Sequence, residues 1–299
     1  MRKYDIDPGR LIHALQNHDE LTMGISHFAA HADEMFSFRG GQISGKDLRA
    51  LVHREMYARL IGDNAPYNLK FGDGVASTSA TVIAAALGIH DVGALNAADV
   101  ERIRRLHLLL AFYNAMQPGV FALSGWDLVG DLTLPAAEVR ARLADGDTRW
   151  INRGAYDLLG SNPGARASAE GLPRAVALYG ALPQQLQHPD SFASQLARLL
   201  KARAELHLDA ARLTDVPKVK ARALFVLVHA LPDNAGLEVT AINFGSAALD
   251  EDVTIQGASA GSAVTDVLDP QAPALQLGAD GGLHLHLDAF QGKALRIGS

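Results

Sequence analysis

The chain of 299 residues contains no cysteine, so neither disulfide bonds nor thiolate chemistry can contribute to its fold or function. It also lacks an excess of basic residues, because 27 lysines and arginines face 33 aspartates and glutamates, a formal net charge of −6. Nucleic acids and anionic membranes attract proteins through a basic face, so we expect neither as a partner. Hydrophobic residues make up 48% and charged residues 20%, which is typical of a globular protein.

Long hydrophobic runs are missing as well. The longest apolar stretches, such as 106–116, are interrupted by His107 and Asn114 and are too short to span a bilayer. The amino terminus carries Arg2 and Lys3 without an apolar stretch behind them, so no signal peptide can be identified there. We therefore expect a cytoplasmic protein with no membrane partner.

Three well-known motifs are present only in incomplete form. His27 and His31 have the spacing of a helical zinc site, but Phe28 stands where a zinc protease has its general-base glutamate, which favours ordinary surface histidines. The glycine-rich segment 72–77 lacks the Gly-Lys-Ser/Thr end of a phosphate-binding loop. Ser124 lacks the flanking glycines of a nucleophile elbow. We expect no metal site and no cofactor.

The chain changes character near Pro217. Before it, apolar residues recur at helical spacing, and this predicts helices over 46–60, 77–87, 96–117 and 191–206. After it, the pattern predicts strands over 224–230, 237–244, 253–256, 263–268, 283–287 and 294–297. In the segment 283–287, leucines alternate with histidines, which indicates one dry face and one wet face. The tail, 216–299, is predicted to be a small antiparallel β-sandwich.

Two short apolar runs, 11–15 and 120–123, show no polar alternation and are typical of strands covered on both faces, as in a parallel sheet. The first is followed at once by a polar and ionisable cluster at 16–20. In (β/α)8 barrels, functional residues lie at the carboxyl ends of the strands. Asp19 is therefore a candidate carboxylate, and His18 is a candidate donor to a polar ligand such as a sugar hydroxyl. A loop with solvated charges and a helix cap explains the same pattern.

A resemblance to a known family favours the functional interpretation. The segment 13–22, with Asn17-His18-Asp19 at its centre, resembles the last of the short signature regions of the α-amylase superfamily. Three further segments resemble the trehalose synthase branch of that superfamily: 65–71, 117–128 and 146–157. The likeness extends over essentially the whole chain.

This resemblance implies a fold and an activity. Residues 1–215 would form the carboxy-terminal part of a TIM-type (β/α)8 barrel, with strands seven and eight at 11–15 and 120–123 and a long insertion after strand seven. The segment 216–299 would be the sandwich domain that follows the barrel. The activity would be the interconversion of maltose and trehalose by retaining α-glucosyl transfer, with hydrolysis as a side reaction.

The resemblance also implies roles for single residues. Asp19 matches the carboxylate that stabilises the transition state, and His18 and Asn17 match substrate-binding neighbours. Trp126 is expected to stack on a sugar face, although loop packing explains it equally well. Arg149 is expected at the rim of the pocket, or else in a loop that charge pairs hold in place.

The nucleophile and the acid/base of such an enzyme have no match in this sequence. The superfamily places its nucleophilic aspartate on strand four and its acid/base glutamate on strand five, both ahead of the segment that contains Asn17. Only 16 residues precede Asn17 here, and none resembles those motifs. Strands seven and eight alone would also leave two bare apolar edges. We therefore expect a separately encoded amino-terminal half, or self-association.

Two alternatives to a trehalose synthase remain open from the sequence. The chain could be a non-catalytic carbohydrate-binding or scaffolding remnant that keeps the Asn17-His18-Asp19 loop without its chemistry. It could also belong to an enzyme with another α-glucosidase-type specificity in the same superfamily.

Overall fold

The computed structural model describes residues 7–15, 21–22 and 24–298. The chain divides into two compact units. The first unit contains Met1–Leu15, Arg105–Leu123 and His188–Ser299, and the second contains Gln16–Arg104 and Ser124–Gln187.

The described residues form helices of various lengths with short strands between them, followed by a run of strands. The α-helices are α1 Ser26–Ala30, α2 Gly45–Leu60, α3 Ser79–Ala86, α4 Ala97–Ala115, α5 Gly125–Val129, α6 Leu182–Gln185 and α7 Phe192–Glu205. The strands are β1 Ile12–Ala14, β2 Leu21–Thr22, β3 Met35–Phe38, β4 Gly41–Ser44, β5 Leu69–Phe71, β6 Gly74–Ala76, β7 Val120–Ala122, β8 Arg212–Asp215, β9 Leu224–Ala230, β10 Leu237–Asn243, β11 Leu249–Thr254, β12 Ala263–Asp266, β13 Leu275–Gln276, β14 Gly282–Leu287 and β15 Gly292–Ile297. Within the described ranges, no helix is both long and apolar enough to cross a membrane.

Polar caps set the start of the long helices. Ser44 accepts a hydrogen bond from the amide of Asp47 at the start of α2, and Ser191 caps α7 in the same way. At α4, the Asn96 carboxamide accepts from the amides of Ala98 and Asp99, at 2.9 and 3.0 Å. These caps confirm the helices predicted over 46–60, 96–117 and 191–206, with ends shifted by one or two residues.

The helix predicted over 77–87 begins two residues later than expected, at Ser79. Thr78 is its cap, because the Thr78 hydroxyl accepts from the amide of Thr81 and the amide of Thr78 donates to the Thr81 hydroxyl. Ser77 is instead held in a buried polar network in which its hydroxyl donates to Asn68 Oδ1 at 2.6 Å. The hydroxyl that we placed at the start of the helix therefore stabilises the loop before it.

The strands β1 and β7 pair in parallel, with Ile12 opposite Val120 and Ala14 opposite Ala122. This confirms the two predicted strands and their parallel relation. Their predicted burial on both faces is wrong: Ile12 is 70% exposed and Val120 is 57% exposed. The two strands form a sheet of their own, and apolar side chains are buried only where other elements cover them. Their assignment to strands seven and eight of a barrel stays a prediction.

The tail forms two antiparallel sheets around one apolar core, as predicted for a sandwich. One sheet has six strands in the order β13-β12-β15-β10-β9-β8, and the other pairs β11 with β14. Leu283, Leu285 and Leu287 are at most 1% exposed and join a core that includes Val226 and Val239 from the larger sheet. The histidines between these leucines are exposed, which confirms the predicted dry and wet faces.

Several boundaries in the tail differ from the prediction. The strand predicted over 253–256 runs over Leu249–Thr254, where exposed residues alternate with half-buried or buried ones, although Asp250, Glu251 and Asp252 are consecutive acids. Strands β8 and β13 were not predicted. Because β8 joins the six-stranded sheet, that sheet begins before residue 216, where we placed the start of the tail domain. The division into domains at 215 and 216 itself stays a prediction.

The helix α4 packs on the six-stranded sheet through close contacts at its carboxyl-terminal half. Gly292 on β15 lies against the ring of Phe112, where an added Cβ would come within 2.5 Å of a ring carbon. The ring of Tyr113 lies 5.7 Å from that of Phe225 and 6.1 Å from that of Phe244. These rings cover the face of the sheet opposite to the sandwich core.

Arg203 on α7 holds the turn between α4 and β7. Its guanidinium, in a residue that is 8% exposed, donates to the carbonyl oxygens of Ala115, Gln117 and Gly119. These are carbonyls at and beyond the end of α4, which have no partner inside the helix. A single buried cation therefore fixes the direction in which the chain enters β7.

The second unit contains strands that we did not predict. Arg39 and Gly40 both have positive φ, at 51° and 80°, and form a two-residue turn between β3 and β4. The strands β2, β6 and β5 form a three-stranded antiparallel sheet. Each of these five strands has two to four residues, which is too short for a periodic pattern to emerge.

Replacing Arg203 by alanine should destabilise the protein, because the three carbonyl oxygens lose their donor in a buried place. We expect the free energy of unfolding to fall by roughly 2 to 3 kcal/mol in a urea titration followed by circular dichroism. Lys201→Ala is the control, since Lys201 on the same helix makes only an exposed pair with Glu205, and its loss should cost less than about 0.5 kcal/mol. Equal stability of the two variants would contradict the role of Arg203.

Candidate functional site

The predicted catalytic segment, Gln16 to Glu20 with Asn17, His18 and Asp19 at its centre, lies outside the described residues. The strand that leads into it is described. Because β1 and β7 run parallel with Ala14 opposite Ala122, the chain leaves both strands at the same edge of this small sheet. The carboxyl edge of parallel strands is where barrels and open α/β sheets carry their functional residues. The roles of Asn17, His18 and Asp19 stay predictions.

His13, at the centre of β1, is half-buried and points toward the turn that Arg203 holds. Burial lowers the pKa of His13, the nearby positive charge of Arg203 lowers it further, and a hydrogen bond with the Pro118 carbonyl opposes both. His13 is therefore neutral at pH 7. Its Nε2 is buried and has no hydrogen-bond partner among the described residues. A neutral imidazole beside the buried guanidinium avoids a second buried positive charge.

Trp126 lies in the short helix α5, directly after a capping box. The amide of Ser124 donates to Asp127 Oδ2 at 3.2 Å, which fixes the first turn of the helix. The indole of Trp126 is half-buried, and its Nε1 is enclosed without an acceptor among the described residues. The side chain is thus packed at its nitrogen edge. Stacking of Trp126 on a sugar stays a prediction.

Arg149 is held in a tight ion pair by a neighbour two residues away. Its Nε lies 2.8 Å from Asp147 Oδ1, its Nη2 lies 3.1 Å from Asp147 Oδ2, and its guanidinium lies 4.3 Å from the ring centroid of Phe71. The hydrogen bond from Arg149 is the largest cause of the lowered pKa of Asp147. This geometry favours the loop held in place by charge pairs, and the substrate-binding role of Arg149 stays a prediction.

Trp150 stands between two cations in the same loop. The guanidinium of Arg142 lies 4.8 Å from its ring centroid and that of Arg153 lies 4.7 Å from it. The Arg153 guanidinium also lies 3.8 Å from Asp147 Oδ2. Cation–π contacts of this kind stiffen the segment 146–157, which the sequence singled out by resemblance.

A cluster of buried acids in the second unit was missed by the sequence reasoning. Asp127 is 2% exposed and Asp131 is 3% exposed. Burial raises the pKa of Asp131 to about 8, the charge of Asp127 adds to the rise, and Arg174 opposes it. At neutral pH, Asp131 is therefore a carboxylic acid that can donate a hydrogen bond. Neither acid stands in a periodic pattern that would have indicated its burial.

Two tyrosines complete this cluster. Burial and the negative charges of Asp131 and Asp127 raise the pKa of Tyr156. The pKa of Tyr179 is raised by burial and by Asp127. The ring of Tyr179 lies so close to Gly130 that an added Cβ would come within 2.6 Å of it, and Gly130 also has a positive φ of 66°. The cluster therefore holds protonated phenols beside buried acids.

The two histidines with zinc-like spacing lie at the first short helix of the second unit. The rings of His27 and His31 have centroids 4.8 Å apart, and His31 Nδ1 lies 2.5 Å from Glu34 Oε1. Within the part of the chain that the structure describes, no three His, Asp or Glu side chains are grouped as a metal site.

The buried Asp131 predicts a specific pH dependence of stability. Its pKa is near 4 in the unfolded chain and about 8 in the folded one, so the folded state holds one more proton between these values. The stabilisation is present at pH 4 and is lost as pH rises through 8. Relative to Asp131→Asn, the wild type should lose roughly 3 to 5 kcal/mol over this range.

Urea unfolding at several pH values, followed by tryptophan fluorescence, measures this difference. Trp126 and Trp150 are the two tryptophans of the chain and both belong to the second unit, so the signal reports the unit that contains Asp131. Curves of free energy against pH that run parallel for the two proteins would contradict the raised pKa.

Comparison with known proteins gives distant structural similarities. No protein-family model and no curated protein matches the chain. Isomaltulose synthase from Protaminobacter rubrum is similar with a TM-score of 0.47 and 15% identity, over 65% of this chain and 38% of that chain. Trehalulose synthase from Pseudomonas mesoacidophila MX-45 has a TM-score of 0.47 and 17% identity, over 64% and 38%. An α-amylase from Anoxybacillus has a TM-score of 0.44 and 13% identity, over 92% and 45%.

The chain thus spans less than half of the length of each of these three proteins. With TM-scores below 0.5 and identities below 20%, the similarities establish neither a family nor an activity for this chain.

Proposed function

We propose that this chain is one part of an α-glucoside-processing enzyme of the α-amylase superfamily, of the trehalose synthase type. The parallel pairing of β1 with β7 is the observation that carries the proposal. It puts the ends of both strands at one edge. In the sequence, the segments with Asn17-His18-Asp19 and with Gly125-Trp126-Asp127 follow these two strands. An antiparallel sandwich follows these strands, in the order that the sequence resemblance implies.

The proposed reaction is retaining α-glucosyl transfer. A carboxylate nucleophile forms a glycosyl-enzyme while a carboxylic acid protonates the leaving oxygen. Asp19 is the third carboxylate, which binds hydroxyls of the reacting ring and favours its distorted, oxocarbenium-like form. His18 and Asn17 bind the same ring. The glucose released from maltose stays in the pocket and is attached again through its anomeric hydroxyl to give trehalose, and water that intercepts the glycosyl-enzyme gives hydrolysis.

Trp126 and Arg149 are proposed to line the substrate pocket. Arg149 would have to give up part of its pair with Asp147 to contact a sugar, because both carboxylate oxygens of Asp147 are engaged by it. In the structure as it stands, the Arg149–Asp147 pair holds the segment 146–157 in place. The nucleophile and the acid/base belong to strands of a second polypeptide in this proposal.

Maltose turnover tests the proposed function. The purified chain, mixed with the amino-terminal portion of a trehalose synthase that ends before its Asn-His-Asp region, should convert maltose to trehalose with some glucose. Asp19→Asn should lower this rate by about 100-fold or more, because a group that stabilises transition-state charge is lost. Asp63→Asn makes the same chemical change at an exposed position and should leave the rate unchanged.

Product analysis separates the outcomes of this experiment. Equal rates for the wild type and Asp19→Asn would contradict the role of Asp19. Trehalose formed by the chain alone would contradict the proposal that the nucleophile and acid come from elsewhere. Glucose without trehalose would support another α-glucosidase specificity, and no product from any mixture would support a non-catalytic remnant.

We also propose that the sheet of β1 and β7 is completed by strands of another polypeptide. Two parallel strands do not make a self-sufficient sheet, because parallel sheets occur almost only with both faces covered. The 70% exposure of Ile12 and the 57% exposure of Val120 leave apolar surface at this sheet. In the absence of its partner, the chain should therefore associate with itself through this surface.

Light scattering coupled to size-exclusion chromatography tests the association. We expect the purified chain to form dimers or larger species at concentrations of tens of micromolar, and Ile12→Asp to shift it toward the monomer. Val176→Asp is the control, because Val176 is 63% exposed and belongs to the second unit. A wild-type chain that is monomeric throughout, with a cooperative unfolding transition, would contradict this proposal.

A further inference from the structure

A cleft in the first unit lies between the helices α4 and α7 and the turn that joins β14 to β15. It has a volume of 270 Å³, and the described residues that line it all belong to the first unit. Ligand sites in proteins have volumes of about 300 to 1,000 Å³, so a molecule that fits into this cleft is a small one. None of the residues that line it takes part in the proposed glucosyl transfer.

The floor of the cleft is apolar. Leu109, Phe112 and Leu199 line the cleft and are 3%, 4% and 2% exposed. The ring of Phe112 lies against Gly292, where an added Cβ would come within 2.5 Å of a ring carbon, so the ring has no room to move in that direction. A surface that has its shape before a ligand arrives lowers the entropic cost of binding. The floor therefore suits the apolar part of a ligand.

The rim of the cleft is positively charged. Arg105 on α4 and Arg198 on α7 both line the cleft, and both are exposed. Glu101, one helical turn before Arg105, gives both of its carboxylate oxygens to Arg104, at 2.9 and 2.7 Å. Arg198 Nη1 donates to the carbonyl oxygen of Pro189 at 2.9 Å, and a guanidinium has five N–H donors, so donors remain for a ligand.

The described residues that line the cleft include no acidic side chain to balance these two charges. Three acids stand close to it in the sequence and make local contacts of their own. Asp266 and Asp269 accept hydrogen bonds from backbone amides two residues further along the chain, at 2.9 and 3.3 Å. Asp288 lies 3.9 Å from His286. The cleft is therefore a basic site in a chain whose formal net charge is −6, and such a site attracts anions.

We propose that this cleft binds a small organic anion with an apolar body, whose carboxylate or phosphate group contacts Arg105 and Arg198. The planar guanidinium group donates paired hydrogen bonds to carboxylates and phosphates alike. The apolar body of the ligand lies on Leu109, Phe112 and Leu199. Such an anion is a different ligand from the neutral disaccharide of the proposed reaction, and the site binds it whether or not the chain transfers glucosyl groups.

Isothermal titration calorimetry of the purified chain with 3-phenylpropionate and with phenyl phosphate tests the site. We expect weak, saturable binding. Arg105→Gln and Arg198→Gln should each lower the affinity by about tenfold or more, because a charge-assisted hydrogen bond is lost. Arg212→Gln is the control, since it makes the same change at an exposed position on the edge strand β8, outside the cleft. It should leave the affinity unchanged.

Uncharged and truncated ligands separate the two parts of the proposed site. Both anions should bind about tenfold or more tightly than 3-phenylpropionamide, which lacks the charge, and than acetate or inorganic phosphate, which lack the apolar body. Leu108 is half-buried and lines the cleft between the two arginines and the floor residues of α4. Leu108→Trp puts a larger side chain into this space and should abolish binding, with the circular dichroism unchanged.

The proposal is overturned by absence of binding of both anions to the wild-type chain, or by equal affinity of the wild type, Arg105→Gln and Arg198→Gln. It is also overturned where 3-phenylpropionamide, acetate or inorganic phosphate binds as tightly as the two anions do. Binding that Leu108→Trp leaves unchanged contradicts it as well, since the anion would then bind elsewhere. Binding of only one of the two anions supports the site and identifies its anionic group.

Discussion

Parallel sheets occur almost only where other layers cover both faces, and within the described residues β1 and β7 form a sheet with each other alone. Arg203 holds the turn that enters β7, through the carbonyls of Ala115, Gln117 and Gly119. The edge at which both strands end depends on this short ladder. The sandwich, in contrast, has a core of its own.

Local signals predicted much of the fold. Polar caps such as Ser44, Asn96 and Ser191 act through hydrogen bonds within three residues, so the long helices could be predicted from neighbouring residues alone. Alternating leucines likewise indicated the strand β14. The short strands of the second unit could not be predicted, because strands of two to four residues are specified by their partners and not by their own pattern.

Burial was harder to predict, since it depends on what covers a residue. Ile12 and Val120 belong to apolar runs of the kind found in buried strands. They are exposed because no other element of the described chain covers their side of the two-stranded sheet. Asp131 is an aspartate, a residue type that is usually exposed, yet it is 3% exposed and protonated at pH 7. A loop held by charge pairs was one of the two roles that we predicted for Arg149. Its partner Asp147 is only two residues away, so this pair is a local feature of the sequence. The close approach of the Tyr156 hydroxyl to Gly125 joins residues 31 positions apart in the sequence, which no local pattern indicates.

Hydrogen–deuterium exchange of the isolated chain, diluted until it is monomeric, tests most directly whether β1 and β7 are a part of a larger sheet. The account predicts that amides in Ile12–Ala14 and Val120–Ala122 exchange on the order of 100-fold faster than those at the centre of β9 and β10, because little of the structure covers the two-stranded ladder. Protection of both pairs of strands to the same extent would contradict it, since the ladder would then be stable without added strands.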